Sequence, residues 1–110
     1  MSAQHKELAD GRWNQMPFIE QMANIGSEVE RALNWGAKNN SVYSEKAFGR
    51  ALELMDLTLD TASTFSRYKE VARVRELFVD YFCGENDFRS TESSWKKYFL
   101  HFAYAACRGR

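Results

Sequence analysis

Apolar residues recur along this chain at intervals of three and four positions, the spacing that places them on one face of an α-helix. The first such stretch covers residues 17–37 and begins with Pro17, which suits the first turn of a helix. Its apolar positions are Phe18, Met22, Ile25, Val29, Ala32 and Gly36. Three further segments repeat the pattern: residues 42–59, 65–83 and 92–107.

The segments between these stretches carry residues that end and begin helices. The stretch Lys-Asn-Asn-Ser at residues 38–41 ends the first helix and caps the second, because asparagine tolerates a left-handed C-terminal position and asparagine or serine is a favoured N-cap. Gly84 is suited to end the third helix, and Ser90 or Thr91 to begin the fourth. Short connections join neighbours in antiparallel fashion, so we expect an all-α, mostly antiparallel four-helix bundle.

The N-terminal residues lack this pattern. Residues 1–14 are polar apart from Trp13, so they predict a loosely ordered tail, with the bundle domain at 15–110. A chain of 110 residues has room for one core. Three glycines within the predicted helices are interpreted as positions of close helix packing: Gly26, Gly36 and Gly49.

Charge and cysteine content narrow the class of protein. Fifteen basic and fifteen acidic residues give zero net charge, whereas nucleic-acid binders usually carry a basic excess. Cys83 and Cys107 are the only cysteines and form no CxxC motif, as expected of reduced thiols. No apolar run approaches the ~20 residues of a membrane helix, and no signal peptide is evident. We therefore expect a cytoplasmic protein without membrane contact.

Two segments resemble a family of small uncharacterised prokaryotic proteins of about this length: QMANIGSEVERALNW at residues 21–35 and AFGRALELMDLTL at residues 47–59. The resemblance extends over most of the chain, through DYF, Gly84, Asn86 and WKKYF near the C-terminus. It implies a helical fold and no particular activity.

The predicted architecture is also similar to the helical bundles of the HEPN superfamily (higher eukaryote and prokaryote nucleotide-binding). Many of these act as ribonucleases or as partners of small nucleotidyltransferases, and their ribonuclease motif is an arginine followed, after a few polar residues, by a histidine. Here the histidines are His5 and His101, and eleven residues separate Arg89 from His101. The resemblance therefore implies the fold and does not carry ribonuclease activity.

Catalytic and metal-binding patterns are not evident. A carboxylate-bridged metal site in a bundle requires a Glu-x-x-His pair, and no Glu lies three residues before either histidine. Cys107 is six residues from His101, which places the two on different sides of a helix. The sequence therefore predicts no metal and no cofactor, and favours a non-enzymatic protein.

Arg75 falls inside the apolar arc of the third predicted helix, where a guanidinium requires a partner because a buried unpaired charge is unfavourable. Glu28 or Glu53 is the expected partner, in an ion pair that fixes the register of the bundle. Contact with an anion or ligand, and extension into solvent, are the alternatives.

Trp35 lies on the polar side of the first helix, near Arg31. In the structural interpretation, the N-terminal tail or the turn at residues 39–43 covers its ring. In the functional interpretation, Trp35 and Arg31 anchor a partner, since both residue types are common interface anchors.

The fourth helix carries a second stripe at spacings of four, three and four: Lys97, His101, Tyr104 and Arg108. Basic groups beside an aromatic ring can contact a phosphate backbone and stack on a base, although a solvated outer face is the alternative. Leu100 and Cys107 lie on the same half of the helix, so it is apolar on more than one face and can accept a second neighbour.

Three functions remain open. The leading hypothesis is a non-enzymatic interaction module that forms a homodimer or binds a small protein partner through helix 4 and Trp35. The alternative is a HEPN-like bundle that binds RNA or nucleotides through the basic and aromatic face of helix 4. A small-molecule pocket around Arg75 is the third.

Overall fold

The computed structural model describes residues 11–108, which fold into four α-helices preceded by a short 3₁₀ helix. In chain order, the 3₁₀ helix and α1 to α4 cover Trp13–Gln15, Phe18–Ala37, Ser41–Thr61, Phe65–Cys83 and Glu92–Arg108. The all-α four-helix bundle expected from the sequence is confirmed, and the predicted helix bounds agree to within two residues.

Two asparagines form the turn between α1 and α2. Asn39 has a φ angle of +59°, a left-handed conformation that asparagine tolerates better than most residues. The side-chain oxygen of Asn40 accepts a hydrogen bond from the backbone nitrogen of Tyr43 at 3.1 Å and so caps α2. The left-handed asparagine was predicted, and the structure assigns to Asn40 the N-cap that the sequence left open between asparagine and serine.

Side chains also organise the longer loop between α3 and α4. The carboxylate of Asp80 accepts hydrogen bonds from two backbone N–H groups of the loop, and Asn86 exchanges two hydrogen bonds with the backbone of Ser90. Thr91 is the N-cap of α4, because its hydroxyl accepts from the Ser94 nitrogen at 3.0 Å and its own nitrogen donates to the Ser94 hydroxyl at 2.9 Å. This reciprocal pair satisfies backbone groups that the first turn leaves free.

Helix α1 lies between α2 and α4 and packs closely against both. Along α1 and α4, Phe18 meets Phe102 and Gly26 meets Phe99, so the two helices are antiparallel. A Cβ atom on Gly26 would lie only 2.7 Å from the Cβ of Phe99. The backbones therefore approach at a distance that excludes any side chain at position 26.

Small residues of α2 lie in the contact between α1 and α2. Ala47 and Ala51 are fully buried. The hydroxyl of Ser44 donates a 2.8 Å hydrogen bond to the carbonyl of Ala32 across the interface. A short side chain on each helix allows this direct bond between a side chain and the neighbouring backbone.

Aromatic rings fill the space between α3 and the rest of the bundle. Phe78 is fully buried, with its ring centroid 5.6 Å from that of Trp95 on α4 and 5.0 Å from that of Phe48 on α2. Tyr81 adds a second ring near Trp95, at 6.3 Å. These rings hold α3 and α4 apart, so the main backbone contacts of α3 are with α2.

The predicted N-terminal tail is corrected at its C-terminal end, while residues 1–10 lie outside the described part of the chain. Trp13 is only 1% exposed and belongs to the core. Its indole N–H donates to the Thr58 hydroxyl at 2.9 Å, and its carbonyl accepts from the Gln21 side chain at 2.8 Å. The ordered domain therefore begins before residue 15, because a buried indole with both polar groups satisfied fixes this segment on α1 and α2.

Candidate functional site

The outer face of α4 carries the residues predicted to bind a partner. Lys97, His101, Tyr104 and Arg108 are all exposed along this helix. The Arg108 guanidinium lies 5.7 Å from the centroid of the Tyr104 ring, a cation–π distance. The spacing read from the sequence thus corresponds to one continuous surface.

Two apolar side chains lie within this surface. Leu100 is 66% exposed and Tyr104 is 64% exposed, one helical turn apart. Cys107 is exposed seven residues after Leu100 and so on the same side of the helix. We call Leu100, Tyr104 and Cys107 the α4 ridge.

A groove of about 480 Å³ runs beside the ridge, between α1 and α4. Its apolar lining includes Gly26, Leu33, Phe99 and Ala103, and Leu100 forms part of its wall. Charged groups also line it: Glu30, Glu92, Lys96 and Lys97. Lys96 and Glu92 are 3.5 Å apart, in an ion pair one turn apart on α4.

Trp35 is half-buried, and the turn that follows α1 covers it. The Tyr43 ring packs on it with a centroid distance of 4.9 Å, and the Lys38 ammonium lies 5.3 Å from its ring centroid. This geometry agrees with the interpretation in which the turn at residues 39–43 covers the indole. Trp35 is therefore part of the contact between α1 and α2, away from the α4 ridge.

Arg31 contributes to an ion-pair cluster that the sequence did not predict. It lies 2.6 Å from Glu28, and Arg50 of α2 forms a second ion pair with the other oxygen of the same carboxylate. Glu28 is buried, so the two guanidinium groups provide the hydrogen bonds that its buried charge requires. Nothing in the local sequence pattern links Arg50 with Glu28, because the residues lie on different helices.

Arg75 pairs with a different residue from the one predicted. Its Nε donates to a carboxylate oxygen of Asp56 at 2.8 Å, whereas Glu28 is engaged by Arg31 and Arg50. The side chains of Arg75 and Asp56 are 37% and 52% exposed. The predicted ion pair between helices thus exists, but it joins α2 and α3 at the surface, since Arg75 lies at the edge of the apolar arc.

A second cleft, which the sequence did not suggest, opens between α3 and α4 with a volume of about 330 Å³. Val74, Leu77 and Trp95 provide its apolar lining, and Glu70, Arg73 and Ser94 provide polar groups. The Trp95 indole N–H is buried and has no acceptor within residues 11–108. A buried donor without a partner costs about 1–3 kcal/mol, and this nitrogen is shielded from solvent although other atoms of Trp95 line the cleft.

Tyr98 closes one side of this cleft. Its hydroxyl donates to the Glu70 carboxylate at 2.7 Å and so joins α4 to α3. Burial, together with the hydrogen bond to Glu70 and the negative charge there, raises the pKa of the Tyr98 phenol far above its usual value. The phenol therefore remains protonated, as a donor, well into the alkaline range.

The described residues show no metal site, no disulfide and no membrane helix. No group of three or more His, Cys, Asp or Glu side chains is placed to hold a metal ion in the part of the chain that the structure describes. Both cysteines are free and exposed. None of the described helices combines the length and apolar character needed to cross a membrane.

No protein-family model matches the sequence, and no curated protein or solved structure is significantly similar to the chain. The resemblance to small prokaryotic helical proteins and to HEPN bundles therefore stays a prediction.

Proposed function

We propose that this protein is a non-enzymatic interaction module that forms a homodimer through the outer face of α4. The observation that carries the proposal is the exposure of Leu100 and Tyr104, one turn apart in the middle of a helix whose opposite face is buried in the core. Single exposed apolar residues are common on monomers. An apolar ridge that borders an apolar groove is more typical of an interface.

A second copy is the occupant that this geometry favours. The ridge and the groove lie side by side on one surface, so a two-fold axis between two copies brings each ridge to the other's groove. Leu100 would pack against the apolar lining of the groove, which includes Leu33 and Ala103. Such an interface buries both exposed residues at once.

The charges of the surface are compatible with this arrangement. The protein has zero net charge, so two copies do not repel each other at long range. Lys97 and Arg108 flank the ridge, whereas Glu30 lies in the groove. The groove itself carries both signs of charge, with Lys96 and Lys97 beside Glu30 and Glu92, so the charges contribute mainly to orientation.

Sedimentation over a concentration series tests the proposal. We expect wild-type protein to form a dimer and Leu100→Glu to remain a monomer, because the new carboxylate would be buried without a partner. Phe65→Glu is the matched control, since Phe65 is the most exposed of the large apolar residues described and lies on α3. A monomeric wild type at the highest concentration, or a Leu100→Glu dimer, would contradict the proposal.

One observation favours a second function, the binding of RNA. Lys97, His101, Tyr104 and Arg108 are exposed together, with a guanidinium already placed over an aromatic ring. Binding of mixed-sequence single-stranded RNA at low salt, weakened steeply by moderate salt, would indicate phosphate contacts. Absence of binding at low salt would exclude this function.

A further inference from the structure

The cleft between α3 and α4 lies on a different flank of α4 from the α4 ridge. Its volume of about 330 Å³ is at the lower end of the range of roughly 300–1,000 Å³ for small-molecule sites. The aromatic spacers Phe78, Tyr81 and Trp95 explain why it is open, because they prevent α3 and α4 from closing on each other. Its walls are mainly apolar, with Val74 and Leu77 on α3 and the Trp95 ring on α4, and they favour an apolar ligand body.

Two groups of opposite charge also line this cleft, one turn apart on α3: Glu70 and Arg73. The Tyr98 hydroxyl donates to one oxygen of the Glu70 carboxylate at 2.7 Å and so fixes its position. Within residues 11–108, the other oxygen accepts no hydrogen bond, and Arg73 forms no ion pair with any carboxylate. Glu70 and Arg73 are therefore not paired with each other, although their spacing along the helix allows it. The cleft thus offers one acceptor beside one donor, with no net charge.

We propose that this cleft binds a small neutral amide with an apolar body. A primary amide carries N–H donors beside a carbonyl acceptor. The amide N–H donates to the second oxygen of Glu70, the carbonyl accepts from the Arg73 guanidinium, and the apolar body packs against Val74 and Leu77. Both hydrogen bonds involve an ionised protein group, and such bonds are about twice as strong as neutral ones.

The paired charges also discriminate against charged relatives of the amide. A carboxylate would meet the like charge of Glu70, and an amidinium would meet the like charge of Arg73, and like charges brought together are unfavourable. The neutral ligand alone satisfies both groups at once.

The groove between α1 and α4 is the competing location, because Trp95 lines it as well and it also carries both signs of charge. There Lys96 and Glu92 already form an ion pair at 3.5 Å. Leu77 lines the α3–α4 cleft and not the groove, so its methyl groups report on the cleft. Glu30 lines the groove and not the cleft, so it is the matched control for Glu70.

Benzamide, benzoate and benzamidinium are suitable probes, because they share one ring and differ in the polar group. We would titrate each into protein labelled with ¹³C at methyl groups and follow the Leu77 signals, identified as those lost in Leu77→Ile. Millimolar benzamide is expected to shift these signals. Benzoate and benzamidinium should bind at least about tenfold more weakly, a difference of about 1.4 kcal/mol.

Two matched variants complete the experiment. Glu70→Gln keeps an acceptor for the Tyr98 hydroxyl and removes the negative charge, so it should bind benzoate about tenfold more tightly than wild type does. Glu30→Gln should leave all three affinities unchanged. Glu70 is half-buried and Glu30 is exposed, so both variants should fold.

Three results would overturn the proposal. The Leu77 signals do not respond to millimolar benzamide, a charged probe binds wild type as tightly as benzamide does, or Glu70→Gln fails to raise the affinity for benzoate above that of Glu30→Gln. Oligomeric state is measured separately by sedimentation, so failure here leaves the dimer proposal unaffected.

Discussion

Helix α4 meets α1 along one flank and α3 along the other, and the two contacts are built from different residues. Against α1, a glycine faces Phe99 so closely that a Cβ atom at position 26 would clash. Against α3, large rings separate the helices, and Trp95 and Phe78 meet at a centroid distance of 5.6 Å. On the α1 flank, the missing side chain of Gly26 lets the two helices approach closely. On the α3 flank, aromatic side chains keep the helices apart.

This difference explains where the molecule has room for a ligand or a partner. Close backbone approach at Gly26 fixes the position of α4 relative to α1, while the spacer rings leave the cleft lined by Arg73 and Trp95. The tight contact is sensitive to added atoms. Removing a ring from the contact between α3 and α4 should lower stability, because aromatic rings fill the space between these two helices.

Removing the central ring of the open contact should have the largest effect. We expect Phe78→Ala to lower the free energy of unfolding by about 3–5 kcal/mol, since a fully buried phenylalanine leaves a cavity. Denaturant unfolding measures this change. Phe88→Ala is the control, because Phe88 is exposed in the loop and should change stability by less than about 0.5 kcal/mol. Equal effects of the two substitutions would argue against Phe78 as the spacer.

Adding one methyl group to the tight contact should have the next largest effect. Gly26→Ala is expected to destabilise the fold by about 1–3 kcal/mol, because the new Cβ would press on the Cβ and ring of Phe99 and force α4 outward. The gain in helix propensity, about 1 kcal/mol, offsets only part of this.

Gly49→Ala provides the matched control for that substitution. Gly49 lies in α2, is exposed, and has no neighbouring atom within 4 Å of the position that an alanine methyl group would occupy. The same change should therefore stabilise the protein by up to about 1 kcal/mol. Thermal unfolding of both variants gives opposite signs if packing decides the outcome at position 26, and the same sign if helix propensity decides it.

The smallest effect is expected for the hydrogen bond that crosses the open contact. Tyr98→Phe removes the bond to Glu70 and should lower stability at neutral pH by about 1 kcal/mol. The folded-state pKa of Tyr98 is raised above that of an unfolded tyrosine, about 10. The stabilisation is therefore complete below pH ~10 and declines at higher pH, as the unfolded chain loses its phenolic proton first.

Unfolding measured from neutral pH to about pH 11 checks this prediction. The difference in stability between wild type and Tyr98→Phe should narrow above pH ~10. Because the other tyrosines are present in both proteins, their titration cancels from the difference. A difference that stays constant up to about pH 11 would show that folding does not raise the pKa of the Tyr98 phenol.

The sequence anticipated much of the fold and part of the candidate site. Helix bounds followed from periodicity, and an asparagine or serine N-cap for α2 within residues 38–41 followed from capping chemistry. The exposed stripe from Lys97 to Arg108 followed from spacing on one helix. Each of these depends on residues within a few positions of one another, so a local pattern was enough.

The sequence did not correctly predict which residues of different helices contact each other. The expected partner of Arg75 was Glu28 or Glu53, and the structure pairs it with Asp56. Gly26, Gly36 and Gly49 were interpreted as close-packing positions: Gly26 faces Phe99 and Gly36 faces Ser44 of α2, whereas no atom lies within 4 Å of a Cβ at Gly49. A sequence gives the side of a helix on which a residue lies, but not the neighbour that will be opposite.

Local hydrogen bonding and periodicity were thus sufficient for the four helices, their ends, and the sides that face inward or outward. The packing of the helices was needed for the burial of Trp13 against Thr58, the ion pairs of Glu28 and Asp56, and the cleft beside Trp95. Those features depend on how far apart the helices pack and how each is rotated. The combined volumes of core side chains from distant parts of the chain set both quantities, so no single segment encodes them.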